Sequence, residues 1–452
     1  MKNHLGELAE FIRGLRWEAL PQDVHSAAAV SVLDSVGAAL GAAEDGQVRS
    51  VAQAYLGVAG DGAHAHLWGT GLQVPLLTAV FNNALMGHTL EMDDVHTGSK
   101  THIGTVVVPA AWGMAQYLGA SGKAFLGAVV AGYETMARIG MALGVTSHRL
   151  RGWHVTGTAG TFGAAAACAK LLDLDEAQTL SALGLAGSQS CGLWAFLADG
   201  ASSKVLHPAR AAASGTEAAL LAKAGMTGPK YILDAKDGGM LFAMTDEPEI
   251  AAVSCDLGVR YEILYMDRKP YPCCRSTHCA IDAALALRKR YGITGEDVRS
   301  AMVDTYWVGY QQCGCSEGSL RPVTSTDAKF STPYLTACAL LFGEVGLRQL
   351  SAASLSDSKT MDLTNRIAVR PDDAFSSLYP EHWGCRLTLY LRDGRTVEQT
   401  VRDAAGSVDN PLSEPQLLEK ARGFLRVAYP DSASQLADSI IHLGDAATLP
   451  VL

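Results

Sequence analysis

The sequence predicts a mainly α protein: a large all-helical domain, with a smaller inserted α+β domain interrupting it before the last helices. Three observations carry that expectation. Residues from about 75 to 225 are dense in Ala and Gly, as in Gly160-Thr-Phe-Gly-Ala-Ala-Ala-Ala, with almost no strand signal. Ala is the best helix former, and small residues let helices approach closely. After about residue 260 the texture changes to alternating, β-enriched stretches with helical segments between them. From Asn410-Pro-Leu-Ser onward the pattern is helical again. The expected domains are therefore residues 1–265 with 405–452, and residues 266–404.

Taken in order, Leu5, Leu8, Phe11, Ile12 and Leu15 recur at helical spacing, and Pro21 with Asp23 opens a second helix through Val32, Leu33 and Val36. Residues 124–145 are the best candidate for a membrane span. Glu134 and Arg138 interrupt them, and no stretch reaches ~18 apolar residues without a charge, so a buried helix is expected. In the second part, Tyr261-Glu-Ile-Leu-Tyr-Met, Ser300-Ala-Met-Val-Asp-Thr-Tyr-Trp-Val, Arg366-Ile-Ala-Val-Arg and Arg386-Leu-Thr-Leu-Tyr-Leu have strand character. Asp393-Gly394 falls between residues 387–391 and 396–401, which predicts a hairpin. Residues 278–291 and 333–342 read as helices between the strands.

Hydrophobic content of 48% with 18% charged residues is that of a folded protein rather than a disordered one. A formal charge of −10 argues against a nucleic-acid or anionic-membrane partner. It leaves an anionic small substrate open, because a few Lys and His can reverse the field inside one pocket. A chain of this size does not need disulfides, and its first residues carry charges where a signal peptide needs an apolar run. Reduced thiols and a cytoplasmic location are the expectation.

Four segments could carry chemistry. In His88-Thr-Leu-Glu-Met-Asp-Asp-Val-His, imidazoles and carboxylates crowd together, and His102 follows in a loop. These are the usual ligands of Zn, Mn or Fe, but also the parts of metal-free acid–base catalysis, and a solvated helix end would look the same. His154, in Trp-His-Val-Thr-Gly, precedes an Ala-rich helix whose N-terminus favours anions. Lys204 lies in a small polar loop that suits a carboxylate, although a surface lysine is the commoner case. Arg268-Lys-Pro-Tyr-Pro-Cys-Cys-Arg-Ser-Thr-His puts Lys269, Cys274 and Arg275 just before a helix. The cysteines at 273, 274, 279, 313 and 315 fit no standard metal-ligand spacing. No nucleophile elbow, phosphate loop or dinucleotide fingerprint is present.

Taken together, six segments resemble the MmgE/PrpD family. They are Val32-Leu-Asp-Ser-Val-Gly-Ala-Ala-Leu-Gly, Asn83-Ala-Leu-Met-Gly-His-Thr-Leu-Glu-Met-Asp-Asp, the Lys204 loop, Lys269-Pro-Tyr-Pro-Cys-Cys-Arg-Ser-Thr-His, Asp327-Ala-Lys-Phe-Ser-Thr-Pro-Tyr and Asn410-Pro-Leu-Ser. Each is weak alone; their order along nearly the whole chain carries the resemblance. It implies a helical domain with an inserted α+β domain, a homodimer, no metal and no cofactor. The family includes 2-methylcitrate dehydratases, cis-aconitate decarboxylases and iminodisuccinate epimerases.

Carried over by position, the resemblance gives catalytic roles to Glu91, His102, His154 and Lys204. Lys269, which matches a substrate-facing lysine of the family, is a candidate for binding a small di- or tricarboxylate, and Asp94, Cys274 and Arg275 are the further binding candidates. Two departures from the decarboxylase pattern stand out, Val95 in place of Thr and Cys274 in place of His. The expected mechanism has Lys204, Lys269 and His102 hold substrate carboxylates while His154 removes a proton alpha to one of them. His102 or Glu91 then protonates a departing hydroxyl or returns a proton to the opposite face. The expected reaction is (de)hydration of a 2-methylcitrate-like hydroxy acid. Epimerisation of an iminodisuccinate-like dicarboxylate and decarboxylation of cis-aconitate are the alternatives. A non-catalytic carboxylate-binding protein and a metal-dependent hydrolase are the readings from other classes.

Overall fold

The computed structural model describes residues 3–62 and 64–452, and its chain divides into two compact units. One holds the chain up to Trp194, then Lys204–Met266 and Ser413–Leu452; the other holds Ala195–Ser203 and Asp267–Leu412. The fold is mainly α with a smaller α+β part, as the composition predicts. Residues 195–203, expected with the helical part, cluster with the second unit, where Phe196 packs edge-on against Phe330 at 5.9 Å.

In the first unit the long helices Gly122–Ala142, Val155–Leu171 and Leu206–Lys223 pack side by side. Small residues permit it: a Cβ on Gly132 would lie 2.9 Å from the carbonyl oxygen of Gly163. Burial is nearly complete along Gly122–Ala142, so Glu134 and Arg138 are buried too. They pair one turn apart at 3.5 Å, and the Arg138 guanidinium also reaches the carbonyls of Cys255 and Arg260. This is how an apolar helix carries two charges inside a protein. Among the described residues, no helix is long and apolar enough to cross a membrane.

The second unit is built on a four-stranded sheet in the order Ile367–Pro371, Val298–Thr305, Cys385–Leu391, Thr396–Val401. The first pair is parallel and the others antiparallel. The expected hairpin joins Cys385–Leu391 to Thr396–Val401, with Gly394 at φ 90°, a backbone conformation in which a Cβ would be strained. Helices His278–Tyr291 and Thr332–Phe342 bury Ile281, Leu287, Leu335 and Leu340 in a core with Val303, Leu387 and Leu389.

Two strand expectations fail. Residues 261–266 contain a 3-10 turn, Glu262–Leu264, because tertiary partners override the alternation. The Glu262 carboxylate is bonded to His96 and Arg260, and the Ile263 amide donates to Glu134. The strand expected through Val308 stops at Thr305, and the helix Trp307–Cys313 follows. There the Trp307 amide donates to the Ser376 hydroxyl at 2.9 Å instead of to a ladder.

Candidate active site

Helix Leu76–Thr89 ends where the polar residues begin. His88 lies in its last turn, and Glu91 follows with φ 57°. That left-handed position after a helix is usually glycine, because a Cβ there costs roughly 1–2 kcal/mol. The fold retains a glutamate instead, with its Oε1 3.3 Å from His88 Nε2.

Asp93 and Asp94 are neighbours in sequence with different partners. Asp94 accepts from the Gly104 amide at 2.9 Å and from the Tyr133 hydroxyl at 2.8 Å. One oxygen serves the start of helix Gly104–Leu118 and the other ties to helix Gly122–Ala142, so Asp94, expected to bind substrate, has both its oxygens engaged within the protein. Asp93, which was not among the candidate residues, is fully buried and faces two imidazoles. Its Oδ2 lies 2.8 Å from His88 Nδ1 and 3.1 Å from His102 Nδ1.

Those contacts fix tautomers. His102 Nδ1 faces Asp93 Oδ2 and, at 3.1 Å, the Asp94 carbonyl oxygen. Both are acceptors, so Nδ1 carries the proton and Nε2 is the basic nitrogen. His88 likewise donates from Nδ1 to Asp93, while its Nε2 accepts from the Lys204 ammonium at 2.7 Å. Burial alone would raise the Asp93 pKa, but electrostatic attraction to the His88 and His102 rings and the hydrogen bonds from their Nδ1 atoms hold it well below the usual carboxylate range.

Lys204 arrives on a 3-10 turn, Ser202–Val205, that leads into helix Leu206–Lys223. Its buried ammonium bonds to Glu91 as well as His88. His154 stands at the N-cap of helix Val155–Leu171, and the first turn of that helix meets the loop: the His102 amide donates to the Thr156 hydroxyl at 3.1 Å. The His154 ring packs on the edge of Trp194 and meets His207 nitrogen to nitrogen, Nδ1 to Nδ1, at 2.8 Å. Burial first, then the Lys204 charge and the neighbouring imidazoles, push the His154 pKa well below its ordinary value. Burial and Lys204 bring His207 down to about 4. These two imidazoles are neutral at pH 7.

The four helix ends of the first unit thus bring together Glu91, His102, His154 and Lys204, the residues singled out in the sequence. They also bring in His88, Asp93, His207 and Trp194, to which no separate role was assigned from sequence. The remaining candidates belong to the second unit. Lys269 is fully buried and Cys274 half-buried. Arg275, expected to face substrate, is an internal strut: it pairs with Asp267 at 2.8 Å and donates to the carbonyls of Ala404 and Ala405. Among the described residues no cysteine forms a disulfide, and burial pushes the Cys279 and Cys338 thiols up to about 12.

His88, Glu91 and His102 offer ligand atoms within 4.8 Å of one another, a spacing that suits a metal ion. The Lys204 ammonium already bonds to two of the three, so a metal would have to expel a cation from the same atoms. Chelators are therefore expected to leave activity intact, measured as turnover after EDTA dialysis. Loss on dialysis with recovery on adding a divalent ion would make these residues ligands.

Acid should destabilise the protein. His148 is buried with Nδ1 against the Met244 carbonyl and Nε2 against the Thr158 hydroxyl, and burial lowers its pKa to about 4. It resembles His154 and His207 in being held neutral when folded, whereas an unfolded histidine binds a proton below about pH 6.5. Between pH 6.5 and 4 the unfolded state therefore holds more protons, and stability falls as pH falls, by about 1.4 kcal/mol per pH unit for each such histidine. Glu134 opposes this by one proton, since burial raises its pKa to about 7. A net loss of stability from pH 6.5 to 5 in urea titrations is expected; flat stability would show these imidazoles to be solvated.

Two family models match the chain: the MmgE/PrpD N-terminal domain over residues 6–251 and the MmgE/PrpD C-terminal domain over residues 271–443. A cis-aconitate decarboxylase-like protein of Aspergillus oryzae is 27% identical, over 100% of this chain and 96% of its own length. Cis-aconitate decarboxylases of Aspergillus terreus and Homo sapiens are each 26% identical, covering 97% and 93% of this chain and 92% and 88% of their own lengths.

Proposed function

Since the chain belongs to the MmgE/PrpD family, we propose that His88, Glu91, Asp93, His102, His154 and Lys204 form the active site of a metal-independent lyase. Its substrate is a small di- or tricarboxylate, and its first step removes a proton alpha to a carboxylate. The observation that carries this reading is the buried Asp93, which aims two imidazoles beside a lysine ammonium.

The sequence pointed to His154 as the base. The surroundings of the two histidines support the reverse assignment. A base works best with a pKa near the working pH, and an imidazole pushed far below that range is a weak one. His102 donates to an ionised aspartate from Nδ1, which places its lone pair on Nε2 and sets a counter-charge beside the imidazolium that proton uptake forms. We therefore assign proton abstraction to His102 Nε2. The neutral His154–His207 pair hydrogen-bonds the leaving hydroxyl, and the proton taken up at His102 Nε2 is passed to that hydroxyl, which departs as water. Lys204 supplies positive charge where the aci-carboxylate develops, and Glu91 holds that ammonium in place.

Dehydration or hydration of a hydroxy-polycarboxylate is the reaction we put first. Decarboxylation of cis-aconitate is the second reading, favoured by what the relatives are called. Against it stands Cys274, where the decarboxylase pattern has an imidazole: a thiol is a weaker donor and is not cationic near pH 7. Proton–deuterium exchange followed by NMR on 2-methylcitrate, citrate, cis-aconitate, iminodisuccinate and tartrate tests the proposal. Exchange at a carbon alpha to a carboxylate in at least one of them is expected. Binding of these acids with no exchange in any would leave a carboxylate-binding protein, and rapid CO₂ release from cis-aconitate would put decarboxylation first.

A further inference from the structure

The Glu91–Asp93 segment is held from the far end of the chain. Helix Glu414–Ala428 packs against helix Gln22–Leu40 at a point where Gly37 has no side chain: a Cβ there would lie 3.4 Å from the Ala421 Cα. Close approach at Gly37 brings Lys420, one residue before Ala421, against Asp34, one turn before Gly37. The Lys420 ammonium bonds to Asp34 Oδ1 at 2.6 Å and donates to the Met92 carbonyl oxygen at 2.9 Å. Both side chains are more than nine-tenths buried. Met92 is the residue between Glu91 and Asp93, so one charge-assisted hydrogen bond clamps the backbone between the two carboxylates of the cluster.

That backbone needs a clamp. Glu91 sits in the left-handed region, where a non-glycine residue persists only if its surroundings over-determine it. On the far side, Asp94 is fixed by the Gly104 amide and the Tyr133 hydroxyl. Lys420 supplies the bond to the Met92 carbonyl, and its charge is balanced by Asp34 rather than by a group of the reacting cluster. Asp34 Oδ2, buried among the described residues without a hydrogen-bond partner, leaves that carboxylate no comparable bond if the ammonium is removed.

We infer that Lys420, with Asp34, is a positioning residue of the C-terminal helix: it sets the Glu91 carboxylate against Lys204 and His88 by fixing the Met92 peptide. The inference rests on the reading of Glu91 as part of the reacting site. Lys420→Met keeps the length and the apolar stem but removes the donor, and Lys420→Arg restores a donor and the charge.

Hydrogen exchange by mass spectrometry tests the clamp without any substrate. In Lys420→Met, peptides covering residues 90–96 are expected to exchange faster, with helix Gly122–Ala142 unchanged and Lys420→Arg close to wild type. The kinetic arm uses whichever acid exchanges its α-proton with the wild-type protein. Lys420→Met should lower kcat by about 10-fold or more with KM within about 3-fold, the pattern of misplaced rather than missing contacts. In a Glu91→Gln background the same change should cost under about 2-fold, because residues acting through one another are not additive. Unchanged exchange at residues 90–96 overturns the inference whatever the activity. An equal kinetic penalty in the wild-type and Glu91→Gln backgrounds also overturns it, reducing Lys420 to general stability. If no acid exchanges with the wild-type protein, the lyase reading falls while the amide-exchange arm still decides the clamp.

Discussion

His102→Gln is expected to lower turnover by at least about 100-fold, the usual scale for a lost general base, with substrate affinity within a few-fold of wild type. The expectation follows from which nitrogen does what. Nδ1 is tied to Asp93 and the Asp94 carbonyl, and Nε2 carries the basic lone pair. A glutamine side chain retains an N–H for Asp93 but has no site that takes up a proton near neutral pH. The variant should therefore fold with stability within about 1 kcal/mol of wild type, since the buried carboxylate keeps a partner. Steady-state rates and α-proton exchange on the same substrate make the measurement. A folded His102→Gln protein with near-normal rates would remove His102 from proton transfer and return the role to His154. The pH–rate profile adds a check of sign: the base must be unprotonated, so kcat/KM should fall on the acid side, and that limb should disappear in the variant.

The second large effect is expected at Lys204. Its ammonium is buried between Glu91 and His88, so Lys204→Met leaves a carboxylate that is 4% exposed without its counter-charge. Breaking one side of a buried ion pair costs about 3–5 kcal/mol, and the unfolding midpoint should drop by several degrees. On the proposed mechanism activity should fall at least about 100-fold, because the charge assigned to stabilising the aci-carboxylate is lost. The two losses separate in the double variant. Lys204→Met with Glu91→Gln removes both charges and should recover most of the stability without recovering activity. If Lys204→Met alone is as stable as wild type, the ammonium is solvated and the buried pair is not there. If the double variant turns over like wild type, Lys204 has no part in the chemistry.

Part of this site was legible before any tertiary structure. The crowding of His88, Glu91, Asp93 and Asp94, with His102 just beyond, marks a polar concentration inside a helical half that is otherwise Ala- and Gly-rich. Lys204 and His154 each stand beside a helix start, and helix ends are where side chains from distant segments meet around exposed backbone donors. What the pattern does not carry is direction. Asp93 and Asp94 are the same residue type one position apart, and nothing local says that one faces two histidines while the other is bound by Gly104 and Tyr133. The same limit explains Arg275, a plausible anion ligand in sequence that is folded onto Asp267 and two carbonyls.

The fold class, the change of texture near residue 260, the Asp393-Gly394 hairpin and the terminal return to helix can all be read from the residues alone. These follow from propensity and periodicity, which act over a few residues and are written where they act. The 3-10 turn at Glu262–Leu264 belongs to the other kind, for its alternation predicted a strand until His96, Arg260 and Glu134 were brought to it. Which histidine is held neutral and which is backed by a carboxylate follows from packing alone. Burial and neighbouring charge set an imidazole's pKa, and both depend on segments far apart in the chain. His154 meets His207, and Met92 meets Lys420 across 328 positions of sequence. No local rule couples residues at that separation; the packing of helices far apart in the chain does.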